Sequence, residues 1–368
     1  MIKNWDYLEE YRKDREKILE LVDRVLSSGR LILGPHVMEF ERNFSSYCGV
    51  AYGVGVNSGT DALFLALKAL GVGPGDEVVT VSNTAVPTVA AICATGARPL
   101  FVDVEEDTFL MDMAKLEAVL SARTKCIVPV HLFGQIPDMD ALLAIASYGG
   151  VKILEDCAQA AGAVYKGRKA GAFGDIAAFS FYPTKVLGGF GDGGMALTND
   201  REYYDKLRRL RFYGMEQACY SEEEGYNSRL DELQAALLDF KLKAMEEAVG
   251  RRREIADVYS RELVSIGDII TPVTKEGRSH QFYVYTIRTR YRDRLVEHLR
   301  EQGIEARINY PTPVHLMRAY GRLGYQKGSL PLTERLAGEI VSLPMFPELS
   351  RDCVATIVDS VRAFFRRF

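Results

Sequence analysis

A chain of 368 residues, 47% of them hydrophobic, can bury a large core, and its length fits two domains or one large domain with an appendage. The formal net charge of −4 argues against a nucleic-acid partner. No repeat or low-complexity tract interrupts the chain, no apolar run is long enough to span a bilayer, and residues 1–7 carry no apolar signal region, so a cytoplasmic protein is expected.

The chain opens with helical spacing over residues 7–28, where Ile18, Leu19, Val22, Val25 and Leu26 share one face and Gly29 ends the run. A linker over 30–35 leads into a second helix, 37–48. Residues 52–56 read as a strand that runs through Asn57-Ser58-Gly59-Thr60 into a helix over 61–69. A strand, a small-residue turn and a helix N-terminus make an anion site, although the same turn also serves as a plain helix cap.

From residue 76 onward, strand and helix patterns alternate: 77–81, 86–95, 98–102, 113–121, 124–130, 139–147 and 151–154. The spacing is that of βα units, whose right-handed crossovers build a parallel sheet with helices on both faces. Ligands then gather at the carboxyl ends of the strands. His131, which closes one of these strands, reads as an ordinary loop residue.

Two stretches carry chemistry. Val151-Lys152-Ile153-Leu154-Glu155-Asp156 is a buried-looking strand that ends in acids, and such acids either cap helices or face a cationic group. Residues 178–182 read as a strand that Pro183 ends, after which Lys185 sits on a glycine-rich turn among few other charges. A lysine after a strand is ordinarily solvated. A semi-apolar setting instead favours the neutral amine, which can act as a nucleophile on a carbonyl.

Further on, 203–211 forms a basic helix, and Tyr226–Asp231 introduces a long helix through about residue 245 that continues into Arg251-Arg252-Arg253. The last third alternates strand and helix over 282–288, 292–302, 306–308, 333–340 and 351–364, as an α+β domain would. Cys48, Cys93, Cys126, Cys157, Cys219 and Cys353 lie far apart, as do the five histidines, so no metal is expected.

Five blocks in order, Asn57–Leu63, Glu155–Gln159, Ser180–Lys185, Gly191–Gly194 and Tyr226–Glu232, resemble the pyridoxal-phosphate sugar aminotransferases of the StrS/DegT group within fold type I. The likeness runs from about residue 33 to 349. It implies an α/β fold: a large domain with a doubly wound, mostly parallel sheet over 1–245, including the N-terminal helix and linker 1–36, and a smaller α+β domain over 246–368. Lys185 is then the Schiff-base lysine and proton shuttle, and Asp156 the acid facing the ring nitrogen of pyridoxal 5'-phosphate, which cycles through pyridoxamine 5'-phosphate. Ser58, Gly59, Thr60, Gln159, Ser180 and Asn227 are implied as further cofactor contacts, with Asn227 supplied by the partner of a homodimer with shared sites.

Tyr182, Arg211, Tyr213, Tyr310 and His315 are the expected contacts to a nucleotide-linked keto sugar, and L-glutamate is the expected donor. The residues around Lys185 are most similar to the branch that aminates C3 of a dTDP-linked 6-deoxy sugar. A UDP-linked or C4-keto sugar is the alternative, and a non-catalytic regulatory relative the alternative of another class. A dehydratase on this fold replaces the lysine with histidine, and Lys185 argues against it. One departure stands out: many relatives place an aromatic residue against the cofactor ring where this chain has Ala85.

Overall fold

The computed structural model describes residues 1–217 and 219–367; Ala218 and Phe368 lie outside the described residues. Seven strands make one sheet: β1 (Tyr52–Val56), β2 (Glu77–Val81), β3 (Arg98–Val102), β4 (Thr124–Ile127), β5 (Lys152–Asp156), β6 (Ile176–Ser180) and β7 (Gly194–Thr198). Their order is β1-β7-β6-β5-β4-β2-β3. The run from β6 to β3 is parallel, and β7 alone lies antiparallel to both its neighbours. Because β7 is reversed, its first residue meets the last residues of the others: Gly194 is in register with both Val56 and Ser180.

Burial on both faces follows from strand periodicity, since successive side chains point to opposite sides. Val79, Val81, Ile127, Ile153, Phe179 and Leu197 pack into one core with Val37, Phe40 and Phe44 of helix α1 (Pro35–Cys48). Val78, Cys126, Leu154, Ile176, Ala178 and Ala196 pack into the other with Leu63, Leu65 and Leu67 of helix α2 (Gly59–Ala69). The mostly parallel α/β sheet expected from the sequence is therefore present.

The linker over 30–35 is tied down by one carboxylate. Glu232, buried, accepts the amides of Gly34, His36 and Val37 at 2.8, 3.0 and 2.8 Å, which supplies the acceptors that the first turn of α1 lacks. The long helix expected after residue 226 is two, Glu232–Leu242 and Met245–Leu263, parted at Lys243-Ala244.

A separate C-terminal core joins Tyr259, Tyr285, Ile287, Leu295, Val341, Leu343 and Ile357 around an antiparallel pair, Tyr285–Arg288 with Ile340–Leu343. Ile2 and Trp5 pack against this core, and Ile2 pairs with Ile304. The start of the chain thus belongs with the end, which the division at residue 245 does not capture. The strand expected over 306–308 reduces to a bridge between Arg307 and Ser342. Among the described residues, no helix is long and apolar enough to cross a membrane.

Candidate active site

The carboxyl edge of the sheet collects the residues with chemical potential. At the end of β1, Ser58 caps α2 by accepting the Asp61 amide at 3.1 Å. The Gly59 and Thr60 amides head this helix and have no acceptor within it, so they and the helix dipole favour an anion there. The turn is too close to its neighbours for a side chain. A Cβ at Gly59 would meet Ser180 Cβ at 2.5 Å, and one at Gly194 would run into the Ser58 carbonyl. Glycine therefore lets the ends of β1, β6 and β7 converge on one concave edge.

Asp156 ends β5 and is 4% exposed. Its Oδ2 accepts the Thr88 hydroxyl at 2.7 Å and its Oδ1 the Ala158 amide at 3.1 Å. Burial pushes its carboxyl above the ordinary range, opposed by these two donors and by the positive charge of Lys185. An acid so placed favours a cation beside it.

Glu155, one residue earlier, faces the other side of the sheet. It is wholly buried, yet its two oxygens accept from His131 Nε2 at 2.8 Å and from the amides of Gly171, Phe173 and Gly174 at 3.1, 2.7 and 2.8 Å. An ionised carboxylate has no proton to give, so His131 carries its proton on Nε2. Cys157 lies within reach of this pair, but four donors already occupy Glu155, and burial pushes the Cys157 thiol well up, so the cluster is hydrogen-bonded rather than ligand-like.

Gln159 is fixed at both ends of its amide. It accepts the Phe133 amide at 2.7 Å and donates to the Tyr310 hydroxyl at 3.0 Å. Lys185 follows β6 on a turn whose Gly188 lies against the Pro183 backbone. Its ammonium sits 4.6 Å from the centre of the Tyr283 ring, and the Tyr283 hydroxyl pairs with Thr184 at 3.0 Å. A cleft of about 860 Å³, lined by Trp5, Glu10, Leu187 and Arg251 among others, reaches Lys185. One sheet edge thus joins an anion-binding helix N-terminus, a buried acid and a lysine packed on an aromatic face.

The model of the DegT/DnrJ/EryC1/StrS aminotransferase family matches residues 12–362. The chain belongs to this family. Among curated relatives, it is 51% identical to a "dTDP-3-amino-3,4,6-trideoxy-alpha-D-glucose transaminase" of Micromonospora megalomicea subsp. nigra, over 97% of each chain. It is 44% identical to a "Pleiotropic regulatory protein" of Geobacillus stearothermophilus, covering 99% of this chain and 98% of that one. Among solved structures, it superposes on S. venezuelae DesV "in complex with ketimine intermediate" with a TM-score of 0.97 at 44% identity, covering 99% of this chain and 98% of that one.

Within this aminotransferase fold, two of the expected substrate contacts are otherwise engaged. Arg211 is 6% exposed, and its guanidinium is paired with Glu41 and bonded to the Gly55 carbonyl at 2.9 Å, so it locks β1 to α1 rather than waiting for a diphosphate. His315 is 1% exposed with both nitrogens occupied, by Ser82 Oγ at 2.7 Å and Glu334 at 3.1 Å, so it clamps its loop onto the end of β2. Tyr310 does reach the edge, through Gln159. Tyr182, just past the end of β6, lies on the exposed rim of this edge; Tyr213 and Asn227 are also exposed.

Thr84, Thr88 and Tyr283 are the residues that sequence reading passed over. A signal for the first two was present: hydroxyls four residues apart at the entry of a helix share one face.

Proposed function

We propose that this aminotransferase uses pyridoxal 5'-phosphate to move the amino group of L-glutamate to C3 of a dTDP-linked 3-keto-6-deoxy sugar. The observation that carries this reading is the meeting of the Gly59 turn, Asp156 and Lys185 at one sheet edge. These residues fit the cofactor. The helix N-terminus at Gly59 and Thr60, with Ser58 and Ser180, suits a phosphate dianion, the buried Asp156 suits a protonated ring nitrogen, and the Lys185 amine suits an aldehyde carbon. Gln159, held from both ends, is proposed to cover part of the ring in place of the aromatic residue that Ala85 does not provide.

When bound, the cofactor supplies an electrophilic carbon and an electron-withdrawing ring. The chain supplies the rest. Asp156 keeps a proton on the ring nitrogen, and Lys185 Nζ takes the proton from Cα of the amino donor and returns one to C3 of the acceptor. Tyr283 supports this cycle, because an aromatic face tolerates the lysine with or without its charge. Both Lys185 and Asp156 are present, which favours catalysis over the regulatory role named for the Geobacillus relative.

Completion of the site is assigned to a second copy of the chain, whose Asn227 would join the phosphate contacts. Support comes from the exposure of Asn227 and of the apolar side chains Leu31, Ile32, Met38 and Tyr220. The sugar is assigned from the Micromonospora relative, whose name carries a 3-amino group on a dTDP sugar.

The test is a panel of 3-keto and 4-keto sugars, each as its dTDP and UDP form and including 6-deoxy and 4,6-dideoxy 3-keto sugars, assayed with L-glutamate by mass spectrometry. A 3-amino product from the dTDP series at the highest kcat/KM is expected. Preference for a 4-keto or UDP sugar overturns the substrate, and failure of the yellow protein to bleach with any amino acid overturns the reaction.

A further inference from the structure

We propose that Thr88 and Thr84 are positioning residues for Asp156, a relay of two hydroxyls that orients the carboxylate and keeps it as an acceptor for a cationic partner. The proposal rests on the reading of Asp156 given above and adds residues to which that reading assigns no role.

The direction of each proton follows from chemistry. An ionised carboxylate only accepts, so the 2.7 Å contact between Thr88 Oγ1 and Asp156 Oδ2 commits the Thr88 proton to Asp156. Thr88 Oγ1 is then left as an acceptor, and in its 2.8 Å contact with Thr84 Oγ1 the donor must be Thr84. Both threonines are 2% exposed, so neither hydroxyl can turn to bulk water without cost. Thr88 lies in the first turn of helix α3 (Val86–Ala94), where a hydroxyl could instead bond the carbonyl four residues back. Here it is spent on Asp156.

The carboxylate plane is fixed by two donors on two different oxygens, the Thr88 hydroxyl and the Ala158 amide. Rotation about the Cβ–Cγ bond would break both. The backbone beneath is pinned too: the Asp156 amide bonds the Pro129 carbonyl at 3.0 Å, and the Asp156 carbonyl accepts the His131 amide at 3.0 Å. Threonine suits the task better than serine because its branched Cβ leaves few χ1 choices in a helix. Hydrogen bonds donated to the charged form stabilise it, and a donor that itself accepts a hydrogen bond is polarised further. Losing Thr88 should therefore shift a shared proton away from the cation and onto Asp156.

The experiment loads holoenzyme with pyridoxal phosphate labelled with 15N in the ring and follows that nitrogen by NMR across pH, alongside cofactor affinity and steady-state kinetics. Thr88→Val should bind cofactor, lower the pH at which the ring nitrogen loses its proton by about one unit, and lower kcat roughly tenfold with KM for glutamate unchanged. Thr88→Ser should restore most of both readouts, and Thr84→Val should shift them the same way but less. A wild-type nitrogen titration and kcat in Thr88→Val, with both altered in Asp156→Asn, overturns the relay and leaves Asp156 in its role. A wild-type titration in Asp156→Asn removes the reading beneath it. If Thr88→Val does not fold, Thr84→Val decides, and an unmoved nitrogen signal in that variant overturns the relay.

Discussion

Asp156 and Thr88 at the floor of the site, and Glu155 and His131 behind them, are at most 4% exposed, and each oxygen of the two carboxylates has a donor. Tyr182 on the rim is 52% exposed, and Tyr213 is 41% exposed. Apart from His131 Nδ1, which has no hydrogen-bond partner, these buried polar groups find their partners within one chain. The rim leaves polar and aromatic surface uncovered, which is the state expected of groups that meet a substrate or a second chain. If the proposed function holds, the chemistry shared across the family is expected of the floor and discrimination among sugars of the rim.

The sharpest break between the two regions is Lys185→Ala. This variant should fold and retain some cofactor, because the Gly59 turn and Asp156 do not depend on the lysine, yet it should show no detectable turnover. Borohydride treatment of the wild type followed by peptide mapping checks the assignment, and a cofactor adduct on another lysine would count against it.

Next in size is Glu155→Gln, which touches stability rather than chemistry. The amide nitrogen would face N–H donors where an oxygen accepted them, and His131 would lose its anionic partner, so a loss of about 3 kcal/mol is expected. Urea unfolding at pH 7 measures it. Burial works to raise the Glu155 carboxyl, but the His131 hydrogen bond, its charge and the backbone amides hold it below the ordinary value. That contribution is full above the unfolded carboxylate value of about 4.3 and is lost as pH falls through the lower folded value, so the gap between variant and wild type should narrow progressively as pH falls below the unfolded value.

The floor was partly legible in the sequence and the rim less so, for physical reasons. Strand ends and a glycine turn are local, so Gly59, Asp156 and Lys185 stood out as candidates, while their roles came only with the resemblance carried by five blocks. The engagement of Arg211 and His315 was not legible because their partners, Glu41 in one case and Ser82 and Glu334 in the other, are brought in by the fold, and nothing beside them in the chain announces a buried ion pair. The reversal of β7 was missed for a like reason. Gly191–Gly194 reads as a loop, yet the first residue of that strand must enter between Val56 and Ser180.

A smaller effect sharpens the claim that the rim needs a second chain. Lys185→Ala and Asn227→Asp, whose carboxylate would repel a phosphate dianion, should each be nearly inactive as homodimers. A heterodimer of the two carries one site with both defects and one with neither, so mixing after gentle dissociation should restore, per heterodimer, roughly half the activity of a wild-type dimer. Mass spectrometry establishes the heterodimer, and activity that stays at the homodimer level would place Asn227 within its own chain's site or outside the site altogether.

The smallest expected effect asks whether rim and floor are energetically separate. Tyr182 follows β6 directly, so its backbone is held, with its amide donating to Ser180 Oγ at 3.3 Å, while its ring remains largely in solvent. Tyr182→Ala should therefore change unfolding free energy by no more than about 0.5 kcal/mol, as surface substitutions usually do. A ring that packs on the sugar nucleotide contributes on the order of 1 kcal/mol, so KM for the keto sugar should rise roughly five- to tenfold. The half-reaction with L-glutamate, followed as bleaching of the yellow protein in a single turnover, should keep its rate, since the donor needs only the floor. An equal fall in both half-reactions would mean that Tyr182 acts through Ser180 and Lys185, and the boundary between floor and rim would then have to be drawn on the far side of this residue.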